Sequence, residues 1–560
     1  MPGTIVAGAL GNCVHVAGVA SYLNIAEQLG YKTVFLGAAV SVDRFADAIE
    51  THKPDIVGVS YRLTPEVGER LLNNLHRTLT DRGLADARFM FGGTPPMCEV
   101  ADRLGWFEQR FSGLENPDEI WAYLRGEKRD SKPEDYGSDL MSRLNAKHPY
   151  PLLRHHFGPA TMDEMIDGVS RIAESGALDV ISIAPDQNAQ ESFFKPEEMD
   201  PALDGAGGAP IRCADDLIAI QQASRKGNYP LLRIYSGTHD LIKWAQLSQS
   251  TISNAWAAIP LCWYSALDGR SDRTPEQAIA ENQTAMEWHA MRDIPVEVNE
   301  PHHWALRDSH DVISVVMSWL AAYNARTMGV SRYVSQYMFN TPAGISPEMD
   351  IAKIQAQIAM VESLHGPDFF SLRQARAGLL HLSPHLSRAK GQLAASTALA
   401  LSISPHIIHV VGFCEGDHAA TADEVIESCE IVNGVLRNCH DSMRNLIGSP
   451  RVTERKQELL SEAETLLKAI SDLREGDEDP YSSPRVIAKA ISTGIIDAPH
   501  LRGNPHAAGV LCTRVIDGAV KCVDPVGGDI LDERQRLRAI GQCADMAATP
   551  LEAYASSNSI

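Results

Sequence analysis

The sequence predicts an α/β protein: an N-terminal doubly wound, flavodoxin-like parallel sheet, then a (β/α)8 TIM barrel with a small C-terminal α+β appendage. Three observations predict it. Apolar runs of four to six residues alternate with amphipathic helical segments through residues 1–125. The same alternation recurs eight times across residues 151–440, about 290 residues, which is the size of a (β/α)8 barrel. Between the two lies 126–150, polar and poor in apolar pattern, read as a linker.

In the first domain, 1–125, the strands are Thr4–Leu10, Thr33–Leu36, Asp55–Ser60 and Arg88–Phe91. Helices Ala20–Leu29, Val42–Thr51, Pro65–Arg82 and Cys98–Leu104 follow them in turn. Ligands of such sheets bind beyond the carboxyl ends of the strands, which singles out the loops 11–18, 60–64 and 92–96. In the barrel domain, 151–445, the strands are Leu152–Phe157, Asp179–Ala184, Leu231–Tyr235, Ile259–Tyr264, Pro295–Asn299, Arg332–Phe339, Phe369–Ala375 and His406–Gly412. Helical patterns follow, among them Pro275–Arg292, Asp311–Met328, Pro347–His365 and Ala420–Leu436. The extension, 446–560, opens with a charged helical run, 450–479, read as a solvated face. Short strand-like pieces rich in Gly and Pro fill 480–540.

Composition narrows the function. The 560 residues carry 50 Lys+Arg against 72 Asp+Glu, a formal charge of −22. That balance argues against nucleic-acid and anionic-membrane surfaces, which want positive patches. The 10 cysteines form no C-x-x-C pair, as expected of reduced thiols in the cytoplasm. The N-terminus lacks a basic region before its apolar run, so no signal peptide is expected, and no stretch is long enough to span a membrane. H-E-x-x-H, G-x-x-x-x-G-K-[ST] and G-x-S-x-G are all absent from the sequence. The expected partner is a small molecule, and the expected assembly a homodimer, the commonest symmetric form.

Three loops carry the chemistry of the first domain. Gly11-Asn12-Cys13-Val14-His15-Val16-Ala17-Gly18 follows strand one. Ser60-Tyr61-Arg62-Leu63-Thr64 ends strand three, and Gly92-Gly93-Thr94-Pro95 ends strand four. Glycine pairs let a bulky ligand approach backbone directly. In this order the loops resemble the cobalamin-binding module of the base-off/His-on mutases and corrinoid methyl carriers, whose fingerprint is D-x-H-x-x-G, then S-x-L, then G-G. The resemblance implies that His15 is the lower axial ligand of cobalt and that Gly18 opens the helix. It places Ser60, Arg62 and Leu63 near the displaced dimethylbenzimidazole tail, with Gly92, Gly93 and Thr94. Cys13 stands where the family has Asp, and the leucine of S-x-L comes late, at Leu63.

The barrel resembles, more diffusely over residues 150–535, the glutamate mutase (methylaspartate mutase) large subunit. Arg154-His155-His156 and Asp497-Ala498-Pro499-His500 carry that likeness. It implies adenosylcobalamin as cofactor and a radical mutase or isomerase acting on a small carboxylate or amino acid. Barrel chemistry belongs at strand C-terminal ends. Arg154 and Arg233 are the leading carboxylate clamps, with His155, Arg270, Tyr337 and Arg373 in the same substrate-binding set; a structural ion pair is the competing reading for each arginine. Tyr235 and Tyr264 are candidates for contacting substrate or shielding a radical, against simple core packing. Glu297 alternates with Val296 and Val298, so either it or they face the interior. A buried Glu needs a partner or a proton role, and Glu300 competes for that role. The His302-His303 and Asp417-His418 pairs alone argue weakly for a metal, since neighbours on a strand point to opposite faces. Two other functions stay open: a corrinoid-dependent methyltransferase, and a non-enzymatic cobalamin carrier or sensor. Methyl carriers have a helical bundle before the module; this sequence starts at strand one, which favours the mutase expectation.

Overall fold

The computed structural model describes residues 3–113, 117–126, 133–439 and 448–547. The chain divides into two compact units, 1–131 and 132–560.

In the first unit, β1 (Thr4–Leu10), β2 (Lys32–Val40), β3 (Ile56–Tyr61), β4 (Arg88–Gly93) and β5 (Gln109–Phe111) form a parallel sheet in the order β2-β1-β3-β4-β5. Alternate residues feed two apolar layers. Ile5, Ala7 and Met90 pack with Tyr22 and Leu23 of the helix Ala17–Gln28. Val6, Val57 and Phe91 pack with Phe45, Leu72 and Val100 of the helices Val42–His52, Pro65–Asp81 and Pro95–Leu104. The helices after β1 and β3 thus lie on opposite faces, and a crevice opens between those strands' carboxyl ends. β2 outruns the expected Thr33–Leu36 by continuing past Gly37 and Ala39, both at positive φ (92° and 52°). The first helix begins at Ala17 rather than Ala20. The three-residue edge strand β5 is too short to leave a pattern in the sequence.

The second unit contains eight parallel strands: β6 (Leu152–Phe157), β7 (Val180–Ile183), β8 (Leu231–Ile234), β9 (Ala257–Ile259), β10 (Val296–Val298), β11 (Arg332–Phe339), β12 (Phe370–Ala377) and β13 (Ile407–His409). Their order is β8-β7-β6-β13-β12-β11-β10-β9. Across the seam, Ser236 N donates to Ala258 O at 3.1 Å and Ala255 N to Leu232 O at 2.9 Å, so the barrel is nearly closed. β9 stops at Ile259, the first residue of the expected Ile259–Tyr264 run, because Pro260 has no N–H to continue the ladder. Tyr264 lies in a loop with φ 60°.

Inward side chains build the barrel in layers. The lowest is apolar: Leu152, Val180, Leu231, Trp256, Val334, Leu372 and Ile407 cluster together with Leu140. Leu140 belongs to a helix, Leu140–Lys147, inside the stretch read as a linker. Asp139 caps that helix by accepting from Met141 N at 2.9 Å and Ser142 N at 3.1 Å. Arg143 fixes it by donating to Asn228 O at 3.0 Å. Burying a Leu side chain contributes about 1.5–3 kcal/mol, and Met141 and Leu144 of the same helix pack against the cluster beside it.

The extension's helix Pro450–Ser471 is solvated on one face only. Leu459, Ala463, Leu466 and Ile470, at helical spacing, join the cluster of Val312, Val316 and Leu320 on the helix Asp311–Thr327. Beyond it lie the helix Pro484–Ser492, the hairpin β14 (Thr513–Ile516) and β15 (Ala519–Cys522), and the helix Glu533–Ala547. The hairpin turns on Asp517-Gly518, both at positive φ (53° and 81°), as a two-residue hairpin requires. Among the described residues no helix is long and apolar enough to cross a membrane.

Candidate functional site

The crevice of the first unit holds a cavity of about 260 Å³. Gly18 and Tyr22 wall it from the helix side, Gly58 and Ser60 from β3, and Met90 and Gly92 from β4. Small residues make the room. A Cβ on Gly18 or Gly92 would meet nothing within 4 Å, so both positions open onto empty space. Ser60 pairs in register with Gly92, which sets the two side by side on adjoining strands.

The sequence-derived residues divide around this slot. Gly18, Ser60, Arg62, Gly92 and Gly93 line it. His15 is exposed in the loop after β1, and the neighbouring Val14 is 63% exposed. Cys13 is buried beneath that loop, with its Sγ 3.9 Å from His15 Nδ1, a weak contact. Its backbone ties the loop down: Cys13 N donates to Leu10 O at 3.1 Å, and Cys13 O accepts from Ala39 N at 2.9 Å. Leu63 packs into the apolar layer on the other face, away from the slot. Thr94 sits at the N-cap of the helix Pro95–Leu104. Tyr22 and Gly58 were missed. The signal for Gly58 was available: Gly58 and Ser60, two apart, put small side chains on one face of β3.

The exposed imidazole, the open glycines and the slot between helix and sheet fit a corrinoid whose nucleotide tail enters the sheet crevice. The residues that would hold it are His15 at the metal, and Gly18, Ser60 and Gly92 along the tail.

In the barrel, the layer above the apolar floor is polar and joined to itself. Glu297 faces inward and accepts from Arg233 Nη2 at 2.8 Å, Trp256 Nε1 at 2.7 Å and Gln374 Nε2 at 3.0 Å. Arg154 donates to Gln374 Oε1 and Ser182 Oγ, both at 2.8 Å, and its Nη2 lies 2.9 Å from His409 Nδ1. Burial alone would raise the Glu297 carboxyl, but the Arg233 and Arg154 guanidiniums hold it below the usual carboxylate value. One layer higher, the Tyr235 hydroxyl bonds the His156 ring, and their rings stack at 4.8 Å. His302 Nδ1 lies 3.0 Å from Gln336 Nε2. Arg376 lies two residues beyond Gln374, on the same side of β12. Its Nε is buried with no hydrogen-bond partner, and among the described residues no carboxylate lies within 4.0 Å of it. Burial, then the nearby guanidiniums, push His156 and His409 well below the ordinary histidine value and His302 down to about 3. The upper interior is therefore neutral imidazoles around an uncommitted guanidinium, a setting that favours a carboxylate.

Placement of the barrel candidates departs from the sequence expectation at several residues. Arg154 and Arg233 are only 1% and 0% exposed, and they serve the Glu297 network rather than an open clamp. His155 points away from Arg154, as strand alternation demands, and its Nε2 lies 3.4 Å from Glu415. Tyr337 packs outside the strands with Phe339, Ile354 and Ile403. Arg373 is also outward, bonded to Glu362 at 2.8 Å and Ile403 O at 2.8 Å. Glu300 braces two loops by accepting from Leu261 N at 2.8 Å, Cys262 N at 3.0 Å and Trp304 Nε1 at 2.8 Å. Burial raises its carboxyl despite those bonds. Tyr264 and Arg270 meet each other, with the guanidinium 4.5 Å from the ring centroid. Arg376, His156 and His302 emerge in their place. Counting by twos from Arg154 and Gln374 would have found the first two.

Comparison with known proteins identifies a family for the first unit. Residues 3–106 match the B12 binding domain family. Trimethylamine corrinoid protein 2 of Methanosarcina mazei is 32% identical over 107 residues, covering 18% of this chain and 47% of that protein. Trimethylamine corrinoid protein 1 of Methanosarcina acetivorans is 33% identical over a match of the same extent. The chain thus spans about half the length of these curated relatives. A solved cobalamin-binding protein from Desulfitobacterium hafniense is 25% identical, covering 22% of this chain and 57% of that one, with a TM-score of 0.19. The structure of OxsB, a cobalamin-dependent S-adenosylmethionine radical enzyme, is 11% identical, covering 89% of this chain and 76% of that one, with a TM-score of 0.18. Family match, loop order and slot agree on one statement: the N-terminal unit is a B12-binding domain.

Proposed function

We propose that this chain is an adenosylcobalamin-dependent radical mutase or isomerase acting on a small carboxylate or amino acid. The observation that carries the reading is Arg376, an uncommitted guanidinium above a layer in which Arg154 and Arg233 already share Glu297. When bound, adenosylcobalamin supplies a carbon-centred radical by homolysis of its cobalt–carbon bond. His15, whose Nδ1 faces Cys13, would hold cobalt through its other ring nitrogen. Arg376 takes the substrate carboxylate in a two-pronged hydrogen bond. Tyr235, fixed by His156, lines the reacting space, and the apolar floor excludes water from below. Glu297 and Glu300 act as positioning residues, because both are occupied by protein donors.

The test is electron paramagnetic resonance on the chain loaded with adenosylcobalamin and offered candidate amino acids and acyl carboxylates. An organic radical coupled to low-spin cobalt supports the proposal. A second reading, corrinoid-dependent methyl transfer, is favoured by the names of the curated relatives. Methyl transfer to a thiol with no radical signal would replace the first reading with the second.

A further inference from the structure

Beyond β13 the chain brings together three side chains of different ligand chemistry. Cys414 Sγ, a His418 ring nitrogen and a Glu424 carboxylate oxygen lie within 4.8 Å of one another. A tight turn makes the first pairing: Asp417 N and His418 N donate to Cys414 O at 2.8 and 2.9 Å, which folds His418 back over the thiol. The third residue stands in the first turn of the helix Ala422–Cys439. Thr421 N and Oγ1 hold Glu424 Oε2 at 3.0 and 2.8 Å, a capping arrangement that leaves Oε1 free to face the cluster.

We propose that Cys414, His418 and Glu424 form a zinc site at the C-terminal end of β13. The hydrogen-bond geometry of His418 asks for a cation. Its Nδ1 lies 2.8 Å from Asp417 Oδ2, and its Nε2 lies 2.9 Å from Glu424 Oε1. A neutral imidazole has one N–H, so between two carboxylates one nitrogen meets an acceptor with a lone pair. Either a second proton or a metal resolves that contact. Zinc bound by Nε2, Oε1 and Sγ does so; the Nε2–Oε1 pair needs little movement, since nitrogen and oxygen ligands at about 2.0–2.1 Å in tetrahedral geometry sit about 3.3 Å apart. Asp417 then plays the part of the outer carboxylate that orients a metal-bound histidine.

Ligand chemistry selects the ion. A thiolate beside imidazole and carboxylate suits zinc and disfavours magnesium or calcium. Three protein ligands leave a fourth position for water or a substrate atom, and strand carboxyl ends are where barrel enzymes place chemistry. Cys414 is buried whereas His418 is exposed, so the ion has an approach route.

The full chain, loaded with zinc and freed of excess by gel filtration, gives the test through elemental analysis and zinc X-ray absorption. Expected are about one zinc per chain and one sulfur in its coordination shell. Asp417→Asn should weaken zinc binding by about 10-fold. His418→Gln, at an exposed position that the fold tolerates, should weaken it further, and Cys414→Ser should remove the sulfur signal. Corrinoid loading should be unchanged in all three variants. A parent chain that retains no zinc overturns the site and leaves His418 as an imidazolium between two carboxylates. Equal zinc retention by His418→Gln and the parent overturns it as well.

Discussion

Glu297→Gln removes the one carboxylate among the described residues that reaches both Arg233, at 2.8 Å, and Arg154, at 3.7 Å. All three side chains are nine-tenths or more buried, so water cannot replace the lost charge. Removing one partner of a buried pair costs about 3–5 kcal/mol, because the remaining charge is left uncompensated. The glutamine still accepts from Trp256 or Gln374, which puts this variant near the lower bound, about 3 kcal/mol, and Glu297→Ala near the upper. Urea unfolding followed by tryptophan fluorescence reads the change directly, since Trp256 touches the site at 2.7 Å. Adding Arg233→Met to Glu297→Gln should restore part of the loss by removing the orphaned cation. The sign with pH follows from the depressed carboxyl. Its stabilisation is complete above the unfolded value of about 4.3 and is lost as pH falls through the lower folded value. A Glu297→Gln loss under about 1 kcal/mol would refute the dry, interlocked interior drawn above.

Gly92→Leu should fill the slot without straining the sheet, because its Cβ meets open space. Cobalamin affinity, read by absorbance titration, should drop at least 10-fold, about 1.4 kcal/mol; unchanged affinity would remove the tail from this slot. Arg376→Met should raise KM for the carboxylate substrate about 10–100-fold, the worth of a charged hydrogen bond, with stability kept; an unaltered KM puts the anion elsewhere. Glu462 is raised to about 7 by burial and by Glu458. A raised acid favours the protonated native state, so its contribution to stability declines as pH climbs from about 4.3 towards that folded value. Glu462→Gln should therefore stabilise the chain at pH 8 relative to pH 5, on the order of 1–2 kcal/mol after screening at this partly exposed site. Equal effects at the two pH values would contradict the assignment.

Where burial is two-sided, the fold was easy to read. Runs such as Ile56–Tyr61, buried throughout, read as central parallel strands because both faces are covered by helices. Leu140–Lys147 was hidden because its docking depends on Leu140 meeting strand residues far away in sequence. In the first unit, loop order sufficed to find the slot, since small residues must stand where a ligand enters. The barrel interior was harder. Tyr337 and Arg373 are strand residues of the right chemical type, but one step off the inward register. Only a fixed inward residue such as Glu297 sets the parity, and pairing across several strands places Arg376 on the inward side, where its Nε has no partner among the described residues. Cys414 and Glu424 meet His418 through a turn and a helix cap, neither of which has a periodic signature.

If the N-terminal unit takes its corrinoid as proposed, the imidazole after the first strand is the protein's bond to cobalt. Electron paramagnetic resonance of the chain loaded with reduced, paramagnetic cobalamin tests it, with histidine carrying the heavy nitrogen isotope. The nitrogen splitting of the cobalt signal should change with the isotope and vanish in His15→Ala. Splitting indifferent to the label, or surviving in that variant, would show that cobalt is held by the cofactor's own base or by another residue.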